Sequence, residues 1–189
     1  MTFSAVLLAG GESRRMGTDK ATFLFRGKPL WRIQLETLQK MRPKEILVSA
    51  RTDPEWRPND IKFVADISPS RGPLSGLAAS LERIRTTHLL VLAIDMPCMS
   101  NEYLEFLSTQ IKPGRGVLPK IGDRSEPVAA IYPREARVDF QSALAGMDFS
   151  LQNLVRLLLE NGKLRELHVK MQDAKLFLNV NTMAELQSG

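Results

Sequence analysis

The chain is poor in the residues that would assign it to several large classes of protein. Cys98 is the only cysteine. No internal disulfide can form, and a chain without a disulfide framework suits a reducing compartment. Aromatic residues are 6% of the 189, too few for the stacking platforms of single-strand nucleic-acid binders. The formal charge of +5 is compatible with anionic substrates, but no basic run is long enough for a nucleic-acid tail. Nucleic acid is therefore not an expected partner. The longest apolar run, residues 89–94, is far short of the ~20 residues that span a bilayer. The N-terminus shows no cationic region ahead of a long apolar stretch. The expected location is cytoplasmic, with no membrane partner.

Several motifs are missing too. No G-x-x-x-x-G-K-[ST] occurs, and no G-x-G-x-x-G follows the first apolar run, which excludes a P-loop and a dinucleotide-binding fingerprint. Ser13 is not in a G-x-S-x-G elbow, because Arg15 stands in the last position. The two histidines, His88 and His168, lie in predicted strands without metal-ligand spacing and read as packed residues. Cys98 reads as a small buried hydrophobe. Nothing supports a covalent serine or cysteine mechanism.

What is present is a soluble globular composition, 43% hydrophobic and 25% charged. Apolar runs alternate with helical patterns. Strands are predicted at 3–9, 45–50, 61–65 and 88–94, the last apolar without alternation and hence buried on both faces. Helices are predicted at 29–41 and 73–85, each opened by a proline, and at 101–111 behind Ser100 as N-cap. Right-handed crossovers between these units give an α/β, three-layer, doubly wound, mostly parallel sheet. The C-terminal half is expected to add a small mixed or antiparallel part. Its predicted strands are 116–121 and 128–132, joined by the polar turn Gly122-Asp123-Arg124-Ser125, and 164–169. Helices are expected at about 134–146 and 150–161, with a short one from Thr182. With no linker, repeat or low-complexity segment, residues 1–189 read as a single domain.

Ligands of open α/β sheets bind beyond the carboxyl ends of the strands. At the end of the first strand stand Gly10 and Gly11, followed by Arg14, Arg15 and Lys20. Glycines allow a close backbone approach, and the cations suit an anion. Asp66 follows the third strand and Asp95 the fourth. Carboxylates beside a cationic, glycine-lined loop make a site for Mg²⁺ and phosphates, since Mg²⁺ takes one or two carboxylates and fills its shell with phosphate oxygens and water. Each feature has a simpler reading. The glycines could be a tight turn, Asp66 a turn or cap residue, Asp95 a strand terminator, Gly72-Pro73 a helix start, and Asn179 and Asn181 caps. Trp31 and Trp56 read as packing rather than base stacking.

The run Leu8-Ala9-Gly10-Gly11-x-Ser13-x-Arg15-Met16-Gly17-x-Asp19-Lys20 resembles the signature of the sugar-nucleotide-type nucleotidyltransferases. Gly27-Lys28-Pro29-Leu30, Gly72-Pro73-Leu74-Ser75-Gly76-Leu77, Asp95-Met96-Pro97 and Glu126-Pro127 extend the likeness. Asn179-Val180-Asn181-Thr182, with Glu185-Leu186, narrows it to the molybdenum cofactor guanylyltransferases. The resemblance implies a Rossmann-like nucleotidyltransferase fold with a nucleotide-binding half (1–100) and an acceptor-binding half (101–189). It implies GTP and Mo-molybdopterin as substrates, Mg²⁺ as cofactor, and molybdoenzymes or their chaperones as protein partners. By the same likeness Arg15, Lys20 and Asp95 are catalytic. Leu8, Ala9, Gly10, Gly11, Lys20, Ser49, Asp66 and Asp95 bind the nucleotide, and Asp95 also binds the metal. Pro127, Asn179 and Asn181 bind the acceptor. Ser49 stands where some relatives have Asn and has a shorter reach. Two alternatives stay open. One is a relative using CTP or a sugar or alcohol phosphate acceptor, which Gly11 disfavours because cytidylyl-transferring relatives tend to read Ala-Ala-Gly there. The other is a non-catalytic nucleotide-binding maturation adaptor.

Overall fold

The computed structural model describes residues 1–10 and 19–180. Its centre is β1 (Phe3–Leu8), which pairs in parallel with β4 (Ile46–Ala50) on one side and β6 (His88–Ala93) on the other. Beyond β4 lies β5 (Lys62–Ala65), also parallel. Beyond β6 the sheet becomes mixed, giving the order β10-β7-β9-β6-β1-β4-β5. Here β7 is Gly116–Ile121, β9 is Ile131–Pro133 and β10 is Leu164–His168.

The central strands are apolar throughout because both faces are covered. Side chains alternate across a strand. Ala5, Leu7, Leu90 and Leu92 enter one apolar cluster, shared with Leu35 and Leu38 of α1 (Leu30–Lys40) and Leu104 and Leu107 of α3 (Asn101–Thr109). Val6, Leu8, Leu89 and Val91 enter the other. That cluster holds Leu74, Leu77 and Leu81 of α2 (Pro73–Arg83), Phe140 of α4 (Arg137–Ala145), and Leu154 and Leu158 of α5 (Leu151–Glu160). The three-layer, doubly wound arrangement follows from this division. Ser100 caps α3 as expected, its hydroxyl oxygen accepting from the Tyr103 N–H. Pro29 proves to be the N-cap of α1 rather than its first residue. Among the described residues, no helix is long and apolar enough to cross a membrane.

The C-terminal half adds the expected mixed part, and β7 and β9 pair antiparallel at Val117 and Ile131, though a short extra strand comes between them in sequence. Across the turn, β7 pairs first with the short β8 (Arg124–Ser125). The chain then turns at Pro127, where Ala129 N–H donates to the Glu126 carbonyl, and proline offers no ladder donor. Only after that does β9 insert antiparallel between β6 and β7. Two further elements had no clear sequence signal. They are a small ribbon of β2 (Leu24–Phe25) with β3 (Lys28–Pro29), and a 3₁₀ segment at Met171–Phe177. The helix expected from Thr182 lies outside the described residues.

His88 is packed as expected, while His168 is exposed, 3.3 Å from a Glu166 oxygen. The His88 Nε2–H faces the carbonyls of Lys112 and Arg115 at 3.1 and 3.3 Å. Burial outweighs those acceptors and lowers its pKa. A lowered native pKa means that the unfolded chain protonates first, so stability drops as the pH falls below the ordinary imidazole value of 6.5. Unfolding followed from about pH 8 to about pH 5 is expected to show this loss. In His88→Gln the slope flattens, and an identical slope in both proteins would exclude His88 as its source.

Candidate active site

The strand order reverses at β1. The chain runs from β1 out to β4 and β5, then returns to β6 on the other side. The register aligns Leu8 with Ser49 and Ala93, and Ala50 with Ala65, so the carboxyl ends come out at one edge. A cleft of about 1000 Å³ opens there, the position where doubly wound sheets take their ligands. Leu8, Ala9, Gly10, Lys20, Asp66, Asp95 and Asn179 all line it. The ladder already engages part of the strand end. Leu8 carbonyl accepts from Ile94 N–H at 3.0 Å, and Ala9 N–H donates to Ser49 carbonyl at 2.8 Å.

Asp66 is held tightly. Its backbone N–H donates to the Ala50 carbonyl at 3.0 Å. Its carboxylate accepts from the hydroxyls of Ser49 at 3.0 Å and Ser70 at 3.1 Å, one on each oxygen. Two glycines make room for it. A Cβ on Gly76 would lie 2.8 Å from Ser49 Oγ and 3.0 Å from Asp66 Oδ1, and one on Gly10 would lie 3.0 Å from Asp66 Oδ2. Ser49 is itself buried. Its hydroxyl supports Asp66 from below rather than lining the cleft.

Across the cleft, Lys20 Nζ stands 3.1 Å from Asp95 Oδ2, with about a fifth of each side chain exposed. Lys20 opens a 3₁₀ turn, Lys20–Thr22, capped by Asp19, whose carboxylate accepts from Ala21 N–H. Asp95 carbonyl accepts from Val180 N–H at 2.8 Å, tying the segment that carries Asn179 to the end of β6. Among the described residues Asn179 Oδ1 is buried without a hydrogen-bond partner, a polar atom that costs free energy unless a ligand meets it. Glu126 is buried with Arg124 Nε at 3.6 Å. Burial pushes its carboxyl pKa up, Arg124 pulls it down, and the Asp95 charge pushes it up further. Among the described residues no cluster of three or more His, Cys, Asp or Glu forms a metal cage. Asp19 and Asp66 line the cleft with their carboxylate oxygens accepting protein hydrogen bonds, which leaves the Asp95 carboxylate and the Asn179 oxygen as the donors for a cation. That sparse oxygen set suits a hard cation that takes most of its shell from phosphate and water.

Gly11, Arg15 and Asn181 lie outside the described residues. Pro127 is buried beside the cleft, its carbonyl accepting from Tyr132 O–H at 2.7 Å, while its neighbour Val128 reaches the lining. Sequence reasoning passed over Arg51 and Thr52, which follow β4 and line the cleft. The rule that pointed to Asp66 and Asp95 also points to them. It also passed over Arg71, which lines the cleft with its guanidinium 4.1 Å above the Phe149 ring. No local signal announces that contact across the fold.

The strand order and the cleft at its reversal place the chain among doubly wound α/β proteins with a Rossmann-like nucleotidyltransferase fold. The chain belongs to the MobA-like NTP transferase family, whose domain model matches residues 5–164. It is 32% identical to the "Probable molybdenum cofactor guanylyltransferase" of Opitutus terrae over 165 residues, covering 86% of this chain and 82% of that protein. It is 30% identical to the "Molybdenum cofactor guanylyltransferase" of Syntrophotalea carbinolica, covering 97% and 89%. The fold matches molybdopterin-guanine dinucleotide biosynthesis protein A of Archaeoglobus fulgidus with a TM-score of 0.78 at 24% identity, over 98% of this chain and 95% of that one.

The packing around Asp66 carries a direct test. Gly76→Ala forces its methyl against Ser49 and Asp66 and costs about 1–3 kcal/mol, read as a Tm lower by several degrees. An unchanged Tm would mean that the two side chains yield without loss.

Proposed function

We propose that this protein transfers GMP from GTP to the terminal phosphate of Mo-molybdopterin and releases pyrophosphate. The observation that carries the reading is the meeting of Lys20 and Asp95, 75 positions apart, at 3.1 Å in the carboxyl-end cleft that Asp66 also lines. Similarity to relatives bearing the guanylyltransferase name supports the choice of substrates.

In the reaction, a terminal phosphate oxygen of the acceptor attacks the α-phosphorus of GTP. A phosphorus–oxygen bond forms there, and the bond from the α-phosphorus to the bridging oxygen breaks. Pyrophosphate leaves with the electron pair. The acceptor phosphate is already anionic at neutral pH, so no general base is needed. The barrier is mostly repulsion between anions, and positioning with charge compensation lowers it. Lys20 offsets charge on the triphosphate, and Arg15, by the family likeness, does the same. The backbone from Leu8 to Gly10 meets the nucleotide at close range, and Asp66, fixed by Ser49 and Ser70, lies beside it. Asp95 would hold Mg²⁺, which supplies polarisation of the α-phosphate. By the family likeness, Asn179 and Asn181 would meet the acceptor and the metal. The cytoplasm, where the triphosphate and the reduced pterin would meet, is the proposed location.

A pyrophosphate-release assay with GTP, CTP, ATP and UTP, with and without Mo-molybdopterin and Mg²⁺, tests this. Release is expected with GTP and only when the pterin is present. A preference for CTP, or release that ignores the pterin, would overturn the assignment. Asp95→Ala is expected to abolish turnover, and full activity would remove Asp95 from the metal site. Lys20→Ala is expected to weaken GTP binding about 10- to 100-fold, the scale of a hydrogen bond between charged groups. Calorimetry that finds no change would remove Lys20 from the site.

A further inference from the structure

The turn that carries Lys20 is braced by a residue from a different rim of the cleft. Asp19 caps the turn with Oδ1, accepting from Ala21 N–H at 3.0 Å, and its Oδ2 accepts from the Trp56 indole N–H at 2.7 Å. Both carboxylate oxygens are thus engaged, which sets the rotation of the group. Trp56 is immobilised in turn by Trp31, its ring stacked at 5.7 Å and 15°. Trp31 belongs to α1, whose Leu30, Leu35 and Leu38 are buried in the core, and packs against that core itself. Trp56 lies in the connection from β4 to β5, the same segment whose Arg51, Thr52 and Pro54 line the cleft.

We propose that Trp56 is a positioning residue for Lys20. Its indole N–H locks Asp19, and through Asp19 the turn that aims Lys20 Nζ at the cleft. The long path from α1 through two tryptophans gives a half-buried lysine a fixed origin. A lysine ammonium on a four-carbon stem gains precision only if its backbone is held. The inference rests on reading Lys20 as a residue that holds the triphosphate.

The test uses inorganic tripolyphosphate as the probe, because it isolates the phosphate contacts from those of the base. Trp56→Phe keeps a ring against Trp31 and removes only the N–H donor. Calorimetry is expected to show affinity lowered about three- to tenfold, with Tm within about 2 °C of the parent. Asp19→Asn, which reaches the same contact from the other side, is expected to reproduce the loss. Added to Lys20→Ala, Trp56→Phe is expected to cost nothing further, since a positioning residue has no effect once its target is gone. Unchanged affinity in Trp56→Phe while Lys20→Ala binds weakly overturns this inference alone. A further loss in the double variant also overturns it, because Trp56 then acts elsewhere. Unchanged affinity in Lys20→Ala overturns both this inference and the reading beneath it.

Discussion

The parallel pairing of β1 with β4 on one flank and β6 on the other is the constraint on which the rest of the molecule depends. Parallel neighbours need crossovers, and right-handed crossovers put helices on both faces. The strands must then be apolar on both sides, which is what Val6, Leu7, Leu89 and Leu90 provide. The same pairing, with β5 parallel beside β4, sends the ends of four strands and the acidic residues Asp66 and Asp95 to one edge. Because the chain leaves β1 in one direction and returns on the other, the loops diverge there and leave a cleft.

Charge in that cleft is organised in two separate ways. Asp66 is held by neutral hydroxyl donors from Ser49 and Ser70, in a space that Gly10 and Gly76 keep open. Asp95 instead faces an ammonium group, with the Glu126 carboxyl close enough for the two charges to oppose one another. One carboxylate is thus fixed in place by its hydrogen bonds, while the other stays partly exposed beside an exchangeable partner. In the proposed reaction the first would flank the nucleotide and the second would share a cation with phosphate oxygens.

Much of the N-terminal half was legible in the sequence. Unbroken apolar runs marked β1, β4 and β6 within a residue or so, and proline marked the starts of α1 and α2. The C-terminal half was less so. Residues 128–132 read as a strand joined to β7 by a polar turn, and the apolar pattern does not reveal that Pro127 turns the chain so that β9 pairs with β6 as well as with β7. In the site, Gly10, Lys20, Asp66 and Asp95 were legible because each stands at a strand end or in a glycine-rich loop. The hydroxyl of Ser49 was not legible as a support for Asp66, since the contact depends on the register of two strands and on a missing side chain at Gly76.

The sequence by itself determined which segments are strands and helices and which reactive side chains stand at the strand ends. Local periodicity and the conformational limits of glycine and proline are properties of short stretches of chain. The tertiary structure alone decided which of those side chains meet. Ser49 finds Asp66 across 17 positions, Trp56 finds Asp19 across 37, and Lys20 finds Asp95 across 75. Such pairings are set by sheet register, crossover handedness and the packing of the tryptophans, and no short stretch of sequence contains them.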